Sequence, residues 1–167
     1  MKNKFVRSLL MLSVLASATV PLQAQGKHCS TARVAGDWAY TYTGSILTQN
    51  GFVPATSVGH FHQDAAGNIS GSQVRSVGGS SAAEDITGTV TVNADCTATA
   101  TINVLVNGEV QRTAVLAAVF DTNMNHARDI FQSLTLANGT NVPVVLTADV
   151  TRLFSGRTEE LGCVHIL

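Results

Sequence analysis

The chain has 167 residues, 45% hydrophobic and only 13% charged, with a formal net charge of −1. That length suits one domain with a single sizeable core. The sparse charge excludes nucleic acid as a partner, because phosphate binding needs clustered Lys and Arg, and it disfavours an anionic membrane surface for the same reason.

Taken in chain order, the first element is an export signal over residues 1–24. Lys2, Lys4 and Arg7 form a positive start, Ser8 to Ala18 is a short apolar run, and Val20-Pro21-Leu22-Gln23-Ala24 ends on a small residue. This is the order of features that a secretory signal needs, and the run is shorter than the roughly 20 residues of a membrane span. Cleavage after Ala24 removes three of the ten basic residues and no acidic one, which leaves seven basic against eleven acidic residues and a formal charge of −4. No later stretch is long and apolar enough to span a bilayer as a helix. The expected location is secreted or periplasmic, and residues 25–167 are expected to form one domain.

The rest of the chain reads as β-strands over 37–46, 55–63, 68–76, 84–92, 97–106, 109–120, 127–135 and 144–154, a barrel core of about 36–155. Thr, Val, Ala and Gly dominate these segments and suit strands. Recognisable turns separate them: Asn50-Gly51, Asp64-Ala65-Ala66-Gly67, Gly78-Gly79-Ser80-Ser81, Asn93-Ala94-Asp95, Asn107-Gly108, Asp121-Thr122-Asn123 and Asn138-Gly139. Asn-Gly favours the backbone angles of tight hairpins. Alternation puts Trp38, Tyr40 and Tyr42 on one face, Ile86, Val90 and Val92 on another, and Ile102, Val104 and Val106 on a third. Residues 114–120 are apolar on both faces and read as a buried strand. An eight-stranded antiparallel up-and-down barrel removes the exposed edges that such a meander leaves. A two-sheet β-sandwich is the competing architecture; the short connections throughout favour the barrel.

Of the three cysteines, two are expected to pair outside the cytoplasm. An even strand count brings Cys29, Cys96 and Cys163 to the same end, so Cys29–Cys163 and Cys29–Cys96 both stay open on this ground.

The series Cys29, Gly36-Asp37-Trp38-Ala39-Tyr40, Asp64-Ala65-Ala66-Gly67-Asn68 and Asp95-Cys96-Thr97 resembles a group of secreted bacterial β-barrel proteins of uncharacterised activity. The resemblance covers roughly residues 29–155 and implies a Cys29–Cys96 disulfide. A broader likeness is to calycin and allene oxide cyclase-like barrels. Gly36-Asp37-Trp38 is similar to the Gly-x-Trp of lipocalins, which implies a Trp near the closed end with Arg152 lying over it. Phe120-Asp121-Thr122-Asn123 is a loose echo of the second lipocalin motif and lacks its Tyr.

Candidate chemistry is sparse. His60 and His62 share a strand face, where a His-x-His pair suits a metal or a polar ligand anchor; a third ligand would have to come from His126 or Asp64. The more ordinary place for such a pair is a polar outer surface, and no metal is assigned. Glu84-Asp85 and Glu159-Glu160 are adjacent pairs that point to opposite faces and read as solvated strand ends. No nucleophile elbow, phosphate loop, dinucleotide fingerprint or zinc spacing is present, so no catalytic residue and no cofactor is assigned. The leading expectation is a barrel holding a small apolar ligand among Trp38, Tyr40, Tyr42, Phe61 and Ile102, with His60 or His62 as polar anchors. The alternatives are a filled structural or interaction barrel of the cell envelope, and a cyclase or isomerase suggested by fold analogy alone.

Overall fold

The computed structural model describes residues 28–153. The expected signal segment, Glu159-Glu160 and Cys163 lie outside the described residues. A short 3-10 helix, Thr31–Val34, precedes eight strands: β1 Gly36–Thr48, β2 Gly51–Gln63, β3 Asn68–Val77, β4 Ser80–Val92, β5 Thr97–Val106, β6 Glu109–Phe120, β7 His126–Leu136 and β8 Val144–Arg152. Each strand pairs antiparallel with the next, and β1 pairs with β8, so the sheet is a closed up-and-down barrel. The barrel expectation holds and the sandwich is excluded.

The strands run further toward one end than alternation alone indicates. Gly78 and Gly79, with φ of 56° and 87°, make a two-residue turn by themselves. Ser80 and Ser81 are therefore strand rather than loop, and β4 starts there. Likewise β2 begins at Gly51, because Gly51 pairs directly with Thr48 across the Gln49-Asn50 turn. These turns, with those at Asn107-Gly108 and Ala137–Pro143, form the open end.

The 114–120 run needs a correction. Ala114, Leu116, Ala118 and Phe120 face inward, whereas Val119 is 58% exposed on the outside. The segment is an ordinary one-sided barrel strand with an apolar outer face. In β7 the register against β6 shifts between Val115 and Leu116, which leaves Gln132 as an extra residue. This bulge switches the inward positions from Ala127, Asp129 and Phe131 to Leu134 and Leu136.

The other end is closed. The 3-10 helix lies beneath the strands and is held by two polar contacts: Val92 N–H donates to Thr31 Oγ1 at 3.0 Å, and Gln63 Nε2 donates to Thr31 O at 3.3 Å. Cys29 is disulfide-bonded to Cys96, with Cα atoms 5.0 Å apart, and so ties this segment to the β4–β5 turn. Trp38 is 1% exposed and donates from Nε1 to Val34 O at 3.0 Å. Its ring stacks on Phe61 at 6.4 Å and meets Phe120 edge-on at 5.7 Å. The Arg152 guanidinium lies 5.4 Å from the Trp38 ring centroid and donates to the carbonyls of Ala35 and Arg33. A cation over an aromatic face contributes about 1 kcal/mol, and here it also satisfies backbone oxygens that end the helix.

Candidate functional site: the barrel interior

Inside the barrel is a cavity of about 320 Å³. Its floor is the aromatic group of Trp38, Phe61 and Phe120. Tyr40, Tyr42 and Phe131 stand on the walls, and Tyr42 meets Phe131 edge-on at 5.5 Å. The space exists because alanines occupy inward positions on adjacent strands, among them Ala100, Ala114, Ala118, Ala127 and Ala148. Gly59 serves the opposite purpose. A Cβ there would fall 2.7 Å from the Tyr40 ring, so the missing side chain lets that ring lie flat against β2.

Trp38, Tyr40, Tyr42, Phe61 and Ile102 all line the cavity. His60 and His62 do not. Phe61 pairs directly with Trp38 across β1 and β2, and paired residues share a face, so Phe61 turns inward and both histidines turn outward. They are exposed on the surface, where His62 Nδ1 lies 2.8 Å from Asp37 Oδ1. His126 sits apart from them, against Asp149 at 2.9 Å. Among the described residues no cluster of three or more His, Cys, Asp or Glu side chains is placed to hold a metal.

The polar part of the interior comes mostly from residues that sequence reasoning set aside, such as Glu84, or did not single out, such as Gln73, Arg75 and Arg112. Glu84 is not a solvated strand end: its side chain has no exposed surface. Its carboxylate accepts from Arg75 Nε at 2.6 Å, from Arg112 Nη2, and from Gln73 Nε2 at 2.8 Å. Gln73 Oε1 in turn accepts from the Tyr40 hydroxyl at 2.9 Å and from Ser57 Oγ at 3.0 Å. Burial alone would raise the Glu84 pKa, but the Arg112 and Arg75 guanidiniums outweigh it and hold the carboxyl below its ordinary value. Burial also pushes the phenols of Tyr40 and Tyr42 upward, so both stay neutral donors. The network faces the cavity through Tyr40, Gln73, Arg75 and Arg112. Removing one partner of such a buried ion pair costs about 3–5 kcal/mol, because a charge is left unpaired.

Asp129 is the second unforeseen residue. It lines the cavity from β7, and its Oδ1 is buried with no hydrogen-bond partner. Burial is the main cause that raises its pKa to about 7, the nearby Asp149 charge adds to it, and His126 opposes it. The signal for all these residues was their phase. Glu84 is in step with Ile86 and Val90, Gln73 and Arg75 with Ile69 and Val77, Arg112 with Ala114 and Leu116, and Asp129 with Ala127 and Phe131. A charged side chain at an inward position marks either a paired core charge or a site.

No family model matches the chain, and no curated protein matches it. Among solved structures, EF1p2_mFAP2b bound to DFHBI is similar with a TM-score of 0.51 at 15% identity, over 74% of this chain and 97% of that one. The redesigned beta barrel mFAP1 bound to DFHBI is similar with a TM-score of 0.47 at 20% identity, over 73% and 98% respectively. At such identity the likeness is one of fold, and the fold in question is a closed, eight-stranded antiparallel β-barrel.

Proposed function

We propose that this protein is an exported barrel that binds a small, largely apolar molecule in its interior. The observation that carries the reading is the cavity of about 320 Å³, walled by aromatic and aliphatic side chains with a few converging polar groups. Ligand sites of about 300–1,000 Å³ have this composition. A filled structural barrel would need bulky inward residues where this chain has alanine. EF1p2_mFAP2b, with a barrel of the same fold, is bound to DFHBI, so the architecture can hold a compound. The proposed location outside the cytoplasm rests on the amino-terminal residues 1–24, read as a cleaved signal, and is supported by the Cys29–Cys96 disulfide.

The cyclase or isomerase reading draws on one observation, a desolvated carboxyl in the cavity wall. Asp129 stands there without a second titratable side chain hydrogen-bonded to it, so the arrangement suits holding a ligand better than relaying a proton through the protein.

The test is to occlude the cavity. Ala148→Trp places an indole in the free volume from β8. Native mass spectrometry of the mature protein and displacement of an uncharged fluorescent naphthalene probe are expected to show one bound molecule in the natural protein and none in a folded Ala148→Trp variant. Equal binding by both would refute the reading.

A further inference from the structure

Resting on that reading, we propose that the cavity's ligand is an uncharged, largely apolar molecule whose carbonyl oxygen, or an equivalent acceptor, takes a hydrogen bond from the side chain of Asp129. The argument starts from position. In the register of the barrel Asp129 lies directly between Ala118 on β6 and Ala148 on β8. Its inward neighbours along β7 are Ala127 and Phe131. The smallest side chains flank the carboxyl on both sides, so cavity volume is available beside it. Phe120, which pairs with Ala127, forms part of the floor next to this point, and an aromatic or alicyclic body would rest there.

The state of the carboxyl follows from its partners. Oδ1 is the one side-chain polar atom among the described residues that is buried without a hydrogen bond. A carboxylate oxygen in that position loses its solvation and gains nothing, whereas the carbonyl oxygen of a neutral acid loses much less. Among the described residues no cation is paired with it, and Arg152 on β8 is engaged with the carbonyls of Ala35 and Arg33. Arg75 and Arg112 are engaged with Glu84, far along the strands: Arg112 is three residues from the open-end start of β6, and Asp129 is three residues from the closed-end start of β7.

Of the charged groups packed around Asp129, Asp149 adds to the effect of burial and His126 opposes it without outweighing it. On β8 the outward Asp149 repels a negative charge and is itself paired with His126 of β7. Arg128 on β7 is outward and exposed, β6 offers only Ala118, and on β1 the Tyr42 phenol, beyond Ala148, is neutral. Asp129 is therefore mainly a neutral acid below neutral pH. A neutral carboxyl has one O–H to donate, and Oδ1 is walled in, so the oxygen that meets the cavity is the one to donate it. The complementary group is an acceptor oxygen. An amine would instead demand an ion pair in an apolar enclosure, which is the costlier arrangement.

Three naphthalene probes test this on the mature protein: prodan, which carries a ketone; ethylnaphthalene, which has no polar group; and naphthylmethylamine. Binding is measured at about pH 5.5 and about pH 8.5, on either side of the carboxyl's midpoint. Prodan is expected to bind about fivefold more tightly at the lower pH, the worth of one hydrogen bond. Its bound emission is expected to be redder in the natural protein than in Asp129→Leu, which marks a hydrogen-bonded carbonyl. Asp129→Asn keeps an N–H donor and is expected to bind prodan with no pH dependence. Asp129→Leu should lose about fivefold at the lower pH. Ethylnaphthalene should bind all three proteins alike at both pH values. Prodan binding that ignores pH or ignores Asp129→Leu overturns the proposal, as does naphthylmethylamine binding more tightly than prodan and gaining at the higher pH. If ethylnaphthalene itself fails to bind, the cavity reading falls, and this proposal with it.

Discussion

Asp129 also has a consequence for stability that needs no ligand. Its folded pKa of about 7 lies above the unfolded value of 3.8. Between those two values the unfolded chain has released the proton and the folded protein still holds it. The folded state binds more protons there, so stability contributed by this residue falls as pH rises from about 4 to about 7, and levels off above that. A shift of this size corresponds to about 4 kcal/mol. Asp129→Asn is therefore expected to match the natural protein near pH 4 and to exceed it by that amount near pH 8, as read by urea unfolding at each pH. Variants that are equally stable at both values would contradict the burial argument. Glu84 is the contrasting case on the same inner surface. Its depressed pKa contributes stability that is present above the ordinary carboxyl value and is lost as pH falls through the folded value. What separates the two carboxyls is that one has two guanidiniums and the other has none.

Among the elements, β1 carries the most constraint, because it closes the barrel against β8 while feeding three aromatics to the interior. Gly44 sits where that closure is tightest. Its φ is +148°, and a Cβ added there would fall 1.9 Å from the Val145 carbonyl oxygen. Gly44→Ala is expected to destabilise the protein by about 2 kcal/mol or more. Hydrogen exchange should show the loss of protection concentrated on β1 and β8; protection unchanged on both strands would contradict this. At this scale the sequence was readable where turn chemistry was strong. Asn107-Gly108 and Asp64–Gly67 placed their hairpins correctly. The strand extensions at the open end were missed because residues 48–54 and 78–83 lack apolar alternation, and backbone pairing alone sustains them. The histidines were misplaced for a related reason. Val58, His60 and His62 share a phase that ends in polar residues but begins with an apolar one, so local pattern gives β2 no clear inner face. The cross-strand pairing of Phe61 with Trp38 decides it, and that is a tertiary fact. The polar interior was hidden because assigning faces from apolar residues reads a charged residue in the inward phase as the end of a strand.

In the whole molecule, the closed end is held by covalent as well as packing forces. Cys29 and Cys96 are 67 residues apart, and closing a loop of that length in the unfolded chain is worth about 4 kcal/mol on the chain-entropy account. The double variant Cys29→Ser, Cys96→Ser is expected to lose about that much in denaturant unfolding. Its folded state should keep the β-sheet circular dichroism of the parent, because the bond joins the helical segment to a turn and spans no rung of the sheet. A collapse of the sheet signal in folding buffer would show that the disulfide organises the barrel itself. The closed barrel was legible from strand count and short connections. The hollow interior was not, since it depends on which alanines meet across neighbouring strands, and only the register reveals that.

The two ends of the barrel are therefore unequal in a way that matters for traffic. Trp38, the helical segment and the disulfide bolt the bottom shut, while four connections between hairpin strands ring the top. On the proposed reading, a ligand entering through that ring would meet Arg75 and Arg112 on the cavity wall before it reached Asp129. Selection would then begin at a charged threshold, with the lone acid as the second and deeper inspection.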